Sequence, residues 1–162
     1  FITGGYKVSD PVELAQAISR TLGNLRFQEK DVKIFFGRVR SVEYPFMVVY
    51  FPLFTSSTAD QNFYADIHAE IVIEFAYAAE TDDLELYEFA DSIIEPLKKG
   101  LQYKRREKSY IITPNDDFEH RIVDGYLQIS FSANYQVDTV DKIAYDNDEK
   151  MGTLDLTFES ED

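Results

Sequence analysis

At 162 residues, with a formal net charge of −14 and no cysteine, the chain excludes disulfides and thiolate metal sites and makes a poor general binder of polyanions. Its 13 Phe and 11 Tyr exclude the disordered class in spite of the charge, and the length predicts one domain with a real core. No apolar run approaches the roughly 20 residues of a membrane span, and Phe1–Gly5 lacks the pattern of a secretory signal, so a soluble protein is expected.

The first predicted element is a helix over about 11–22. Asp10 can cap it, Pro11 suits the first helical position and Glu13 completes an Asp-x-x-Glu box. Leu14, Ala17, Ile18 and Leu22 form its apolar stripe, and Gly23-Asn24 ends it. Val32–Phe36 and Pro45–Leu53 are rich in β-branched and aromatic residues and read as strands, while Pro52 and Thr55–Asp60 read as loop. From Phe63 to Ala78 the chain alternates strictly. Ala65, Ile67, Ala69, Ile71, Ile73 and Phe75 are expected to face a core, and Asp66, His68, Glu70 and Glu74 to face water.

A second helix is expected from Thr81-Asp82-Asp83, with Leu84, Tyr87, Ala90, Ile94, Leu97 and Leu101 as its stripe. Lys98-Lys99-Gly100 is its stop signal, and Pro96 predicts an early end or a kink. A short strand at Ser109–Thr113 and a turn at Pro114–Asp117 follow. Glu119–Val123 and Tyr126–Val137 flank Asp124-Gly125, the strongest hairpin signal in the chain. The order predicts an α+β fold: a mostly antiparallel sheet of about five to six strands packed against two helices. One domain is expected over 1–138, with an acidic C-terminal extension over 139–162.

Charge is segregated along the chain. Between Arg40 and Lys98 there are twelve carboxylates and no Lys or Arg, and Asp138–Asp162 carries nine carboxylates against Lys142 and Lys150. Six cations fall within eleven residues as Lys98, Lys99, Lys104, Arg105, Arg106 and Lys108. Three readings of that cluster stand open: a phosphate contact with Tyr103 and Tyr110 as stacking partners, a polar loop at a helix end, or electrostatic docking to an acidic partner surface. The extension has two readings, a solvated terminus or a strand through Leu154, Leu156 and Phe158 that adds to a sheet edge. Asp66, His68 and Glu70, spaced by two on one strand face, could offer three ligands to a divalent ion in a hydrolase; their plain reading is a solvated sheet face. No phosphate loop, dinucleotide fingerprint or nucleophile elbow occurs.

One stretch carries more than composition. Arg121-Ile122-Val123-Asp124-Gly125-Tyr126-Leu127-Gln128-Ile129-Ser130-Phe131, with Asn134-Tyr135 beyond it, has the form I-x-D-G-x-L-x-x-x-x-x-Y. It closes a layout that starts at Val12-Glu13-Leu14 and runs through Pro45-Phe46-Met47-Val48-Val49, Ile71-Val72-Ile73-Glu74-Phe75 and Leu86-Tyr87-Glu88-Phe89-Ala90. Over about residues 10–138 this layout resembles the phage tail terminator family of Gram-positive phages and prophages.

The resemblance implies a structural virion protein with no active site and no cofactor. It implies a ring, commonly of six copies, on the head-proximal end of the tail tube. Such a ring is assembled in the bacterial cytoplasm, stops tube polymerisation and offers a joining surface to the head–tail connector. DNA passes through it without specific binding. On this reading Asp66, Glu70 and Glu74 are candidates for an acidic lumen wall, which repels phosphate. Lys104, Arg105, Arg106, Lys108, Leu154, Leu156 and Phe158 are candidates for subunit interfaces. Two alternatives are another head–tail connector or tail-like-particle component, and the metal-dependent hydrolase.

Overall fold

In a computed structural model that describes residues 11–37, 43–58, 64–105 and 107–138, the chain is an α+β protein. Pro11 opens helix α1 (Pro11–Leu22), where a missing N–H costs nothing. The cap assigned to Asp10 lies outside the described residues, and Glu13 serves another purpose by accepting from the Tyr103 hydroxyl at 3.2 Å. Leu14, Ala17, Ile18 and Leu22 are all buried. A tight hairpin follows, β1 (Arg26–Phe27) and β2 (Lys30–Asp31), then β3 (Lys33–Phe36) and β4 (Phe46–Thr58). Strand β4 continues through Pro52 and residues 55–58, so the loop expected there is a strand as far as Thr58.

Strand β5 (Tyr64–Ala76) leads to helix α2 (Asp83–Lys98). Asp82 caps α2, its Oδ1 accepting from the Leu84 N–H at 3.5 Å. The buried stripe of α2 is Leu86, Phe89, Ala90, Ile93, Ile94 and Leu97, whereas Leu84 and Tyr87 are exposed. The expected stripe was therefore rotated: Phe89 is drawn inward by the aromatic cluster it joins. Pro96 does not end the helix: α2 continues through it to Lys98. The Gly100 N–H then donates to the Leu97 carbonyl at 3.1 Å.

The chain next forms a hairpin, β6 (Leu101–Arg105) and β7 (Lys108–Ile112), followed by the hairpin of β8 (Glu119–Val123) and β9 (Tyr126–Asp138). Asp124 and Gly125 both have positive φ, 43° and 86°, as a two-residue hairpin turn demands. The main sheet has five strands in the order β3-β4-β5-β9-β8, and it is mixed because β3 runs parallel to β4.

The described residues divide into two compact units. The larger comprises the described residues of 11–55 and 67–135; the smaller includes the strand ends 56–58, 64–66 and 136–138. In the larger unit Phe75 of β5 meets Phe89 of α2 at 4.4 Å between ring centroids, and Phe27 of β1 meets both rings edge-on at 5.0 and 4.9 Å. Around them Met47, Val49, Ile71, Ile73, Leu127 and Ile129 are buried on one sheet face. Helix α1 packs on the β6–β7 hairpin and on α2.

Gly100 sits at the junction of α2 and β6 with φ +115°, a conformation side chains avoid, and a Cβ there would lie 2.7 Å from Ile111 Cγ2. Because Ile111 is exposed and can yield, backbone strain dominates. Gly100→Ala should lower stability by about 1–2 kcal/mol, read as a lower urea midpoint at unchanged m-value.

Candidate functional site

The sheet face opposite the core is polar and open. On β5 it carries Asp66, His68, Glu70, Val72 and Glu74; on β9 it carries Gln128, Ser130, Ser132, Asn134 and Gln136, as strict alternation requires. Within the larger unit the Gln128 amide donates to Glu74 Oε2 at 3.2 Å, and His68 Nδ1 donates to Asn134 Oδ1 at 2.8 Å. Within the smaller unit the Gln136 amide donates to Asp66 Oδ1 at 2.7 Å. As the β5 number falls the β9 number rises, which is an antiparallel register.

The row through Glu74 crosses four strands. Tyr50 of β4 donates its hydroxyl to Glu74 Oε2 at 3.0 Å, Gln128 donates to the same oxygen, and Arg121 Nε of β8 donates to Gln128 Oε1 at 3.1 Å. Glu74 is thus held directly by two uncharged donors, with the Arg121 guanidinium one partner further along the row. Hydrogen bonding orients the Glu74 carboxylate without a direct ion pair among the described residues. Among the described residues the ion pairs are Arg26–Asp31 and Lys98–Asp116, neither of them on this face.

Tyr50 records the local field. Burial foremost, then the hydrogen bond to Glu74 and the Glu74 charge, raise its pKa above the ordinary 10.0. A pKa higher in the folded than in the unfolded state gives stability that is fully present below pH 10 and is lost as pH rises through the folded value. Glu74→Gln removes the charge, so the tyrosinate titration assigned by difference from Tyr50→Phe should move down toward 10.0.

Between β5, β9 and the segment before β8 the face dips into a depression of about 450 Å³. Glu70, Asp117 and Glu119 line it with Pro52, Val72 and Ser130. Asp117 is tied to β9: it accepts from the Ser132 N–H at 3.1 Å and from the Ser132 hydroxyl, and Asn115 Nδ2 donates to Ser132 Oγ at 2.8 Å. Among the described residues no three His, Cys, Asp or Glu side chains come together as a group that could hold a metal ion. Asp66 and His68 are each engaged by an amide side chain of β9.

The basic cluster is split: Lys98 and Lys99 end α2, and the rest of its described members lie on the β6–β7 hairpin. Lys104 and Lys108 are exposed on β6 and β7, Arg105 lies in β6, and Arg106 lies outside the described residues. Strand pairing sets Tyr103 against Tyr110, with ring centroids 5.4 Å apart and Tyr103 buried, so Tyr103 is a core ring and is not presented for stacking on a base. Leu154, Leu156 and Phe158 fall outside the described residues.

Sequence reasoning placed Asp66, Glu70 and Glu74 on one face and missed Asp117 and Glu119 beside Glu70. The hairpin register could have found Glu119, because it places that residue opposite Ser130. Among the described residues no helix is long and apolar enough to cross a membrane. No protein-family model and no curated protein matches the chain.

Proposed function

We propose that this chain is a structural virion subunit, a tail terminator that closes into a ring of about six copies on the head-proximal end of a tail tube. In that ring it stops tube growth, offers a joining surface to the head–tail connector, and turns the polar face of its sheet toward the passage for DNA.

The observation that carries this reading is a carboxylate, Glu74, held by an amide and a phenol on an open sheet face. A wall past which DNA slides must not hold phosphate. Oriented carboxylates repel it, and Glu74 is held directly by neutral donors, Tyr50 and Gln128, with the Arg121 guanidinium bonded to Gln128 and not to the carboxylate. A catalytic reading has less to rest on: the Ser132 hydroxyl that donates to Asp117 is nearly buried, and His68 Nδ1 is engaged by Asn134.

The test is solution mass by light scattering over a wide concentration range, followed by tube-length measurement when the protein is added to growing tubes. A species of about six chain masses that shortens tubes is the expected result. A dimer at every concentration, or tubes that grow past it unchanged, would overturn the reading.

A further inference from the structure

Two surface patches of the larger unit are unlike in charge and alike in having an exposed apolar centre. The first is a groove of about 290 Å³ beside the β6–β7 hairpin, lined by Arg20, Thr21, Lys99, Gly100, Gln102 and Ile111. Strand pairing turns Tyr103 and Tyr110 inward and leaves Gln102 and Ile111 facing out, and Ile111 is 67% exposed. The Arg20 guanidinium is fixed at the rim by donating to the Gln102 carbonyl at 3.0 Å, and the exposed Lys99 and Lys104 continue the positive charge. Among the described residues no carboxylate lines this groove.

The second patch is the outer face of α2. Leu84 and Tyr87 are 65% and 45% exposed there, beside Glu88 and Asp91. Neither carboxylate has an ion-pair partner among the described residues.

Neither patch can close on itself, because a self-contact would bring like charges together while burying the apolar centre. They cannot meet within one chain either. The acidic patch occupies the first turns of α2 and the groove begins just past its C-terminus, so the 16-residue helix holds them about 20 Å apart. What remains is contact between copies. We infer that the outer face of α2, centred on Leu84 and Tyr87, docks into the Ile111 groove of a second copy of this chain. The contact joins unlike patches and so propagates head to tail, which is the interface type a closed ring needs. It rests on the assembly reading above and assigns that assembly its surfaces. Apolar burial at the centre supplies affinity, and the charged rim supplies register and exclusion of wrong pairings.

Because the full chain has no cysteine, single introduced cysteines are unique reporters. Glu88→Cys and Lys104→Cys, each alone and then mixed, are treated with a short bismaleimide. Covalent dimers in the mixture and none from either variant alone are expected. No mixed dimer up to the highest attainable concentration, or equal cross-linking of one variant with itself, would overturn the inference.

Charge exchange gives a second readout that does not depend on cysteine chemistry. Lys99→Glu with Lys104→Glu should weaken self-association about tenfold, and so should Glu88→Lys with Asp91→Lys. Mixing the two double variants should restore it to within about threefold of wild type, and failure of the mixture to recover would count against the pairing. A species of six chain masses that persists without the mixed cross-link leaves the ring standing and removes this interface. Mixed cross-links in an open series with no closed species keep the interface and remove the ring.

Discussion

Phe75→Ala should lower the stability of the larger unit by about 3–5 kcal/mol, the largest single-residue loss expected in this chain. Phe75 has no exposed surface, and its ring is the hub on which β1, β5 and α2 converge. Truncation removes the transfer free energy of the ring and leaves a void between a strand and a helix that are each held by other contacts, so the site cannot collapse onto it. The edge-on contact with Phe27 and the tilted one with Phe89 are lost as well, each worth about 0.5–1.5 kcal/mol beyond area. Small domains have about 5–15 kcal/mol in total, so a large share of the folded margin would disappear. Leu84→Ala on the exposed face of α2 is the control and should change stability by no more than about 0.5 kcal/mol. Equal urea midpoints for the two variants would mean that α2 does not pack on the sheet through Phe75.

That hub also marks how far the sequence could be read. The alternation of β5 makes Phe75 a core residue from sequence alone, and the same period puts Glu74 on the opposite face. Period-two strands with one polar face are the most legible elements because a slip of one residue would invert every side chain. The Asp124-Gly125 turn was equally plain, since few other pairs accept positive φ at both positions.

The β1–β2 hairpin was not legible. Its turn is Gln28-Glu29, with φ of 51° and 65°, and neither residue type announces a left-handed conformation. What holds it is tertiary: Phe27 enters the aromatic cluster, and the Val32 N–H donates to the Leu25 carbonyl at 3.1 Å. Strand β6 was hidden for a related reason. Lysines and arginines near a helix end look like solvated loop, and only the pairing of Leu101 with Ile112 and of Tyr103 with Tyr110 makes that segment a strand. On α2, Leu84 and Tyr87 fit a helical period as well as Phe89 does. Periodicity counts apolar positions; it cannot tell which of two neighbouring stripes finds a partner.

The polar face was legible as two separate facts, an acidic column and an amide column. Their meaning lies in the register between β5 and β9, which no local pattern encodes. In the larger unit that register sets Gln128 against Glu74, so the acidic column is oriented by the amide column beside it.

A surface built that way should change character when its sign is reversed. Glu70→Lys with Glu119→Lys replaces two exposed carboxylates of the same depression and shifts the chain by four charges, two for each reversal. Neither side chain is part of the Glu74 hydrogen-bonded row, so stability should hold within about 0.5 kcal/mol. Duplex DNA, which the wild-type chain should leave free, should bind the double variant at least about tenfold more tightly at low salt. That gain should fade as salt rises, because it comes from released counterions.

Net charge alone cannot account for the same result if the control is chosen well. Glu43→Lys with Glu80→Lys makes the same change at exposed positions that do not line the depression, and it should leave DNA binding near the wild-type level. Fluorescence anisotropy of a labelled duplex at two salt concentrations separates the cases. A gain confined to the face variant is what a phosphate-repelling wall requires. Equal gains in both variants would assign the effect to overall charge, and no gain in either would mean that DNA does not approach this face.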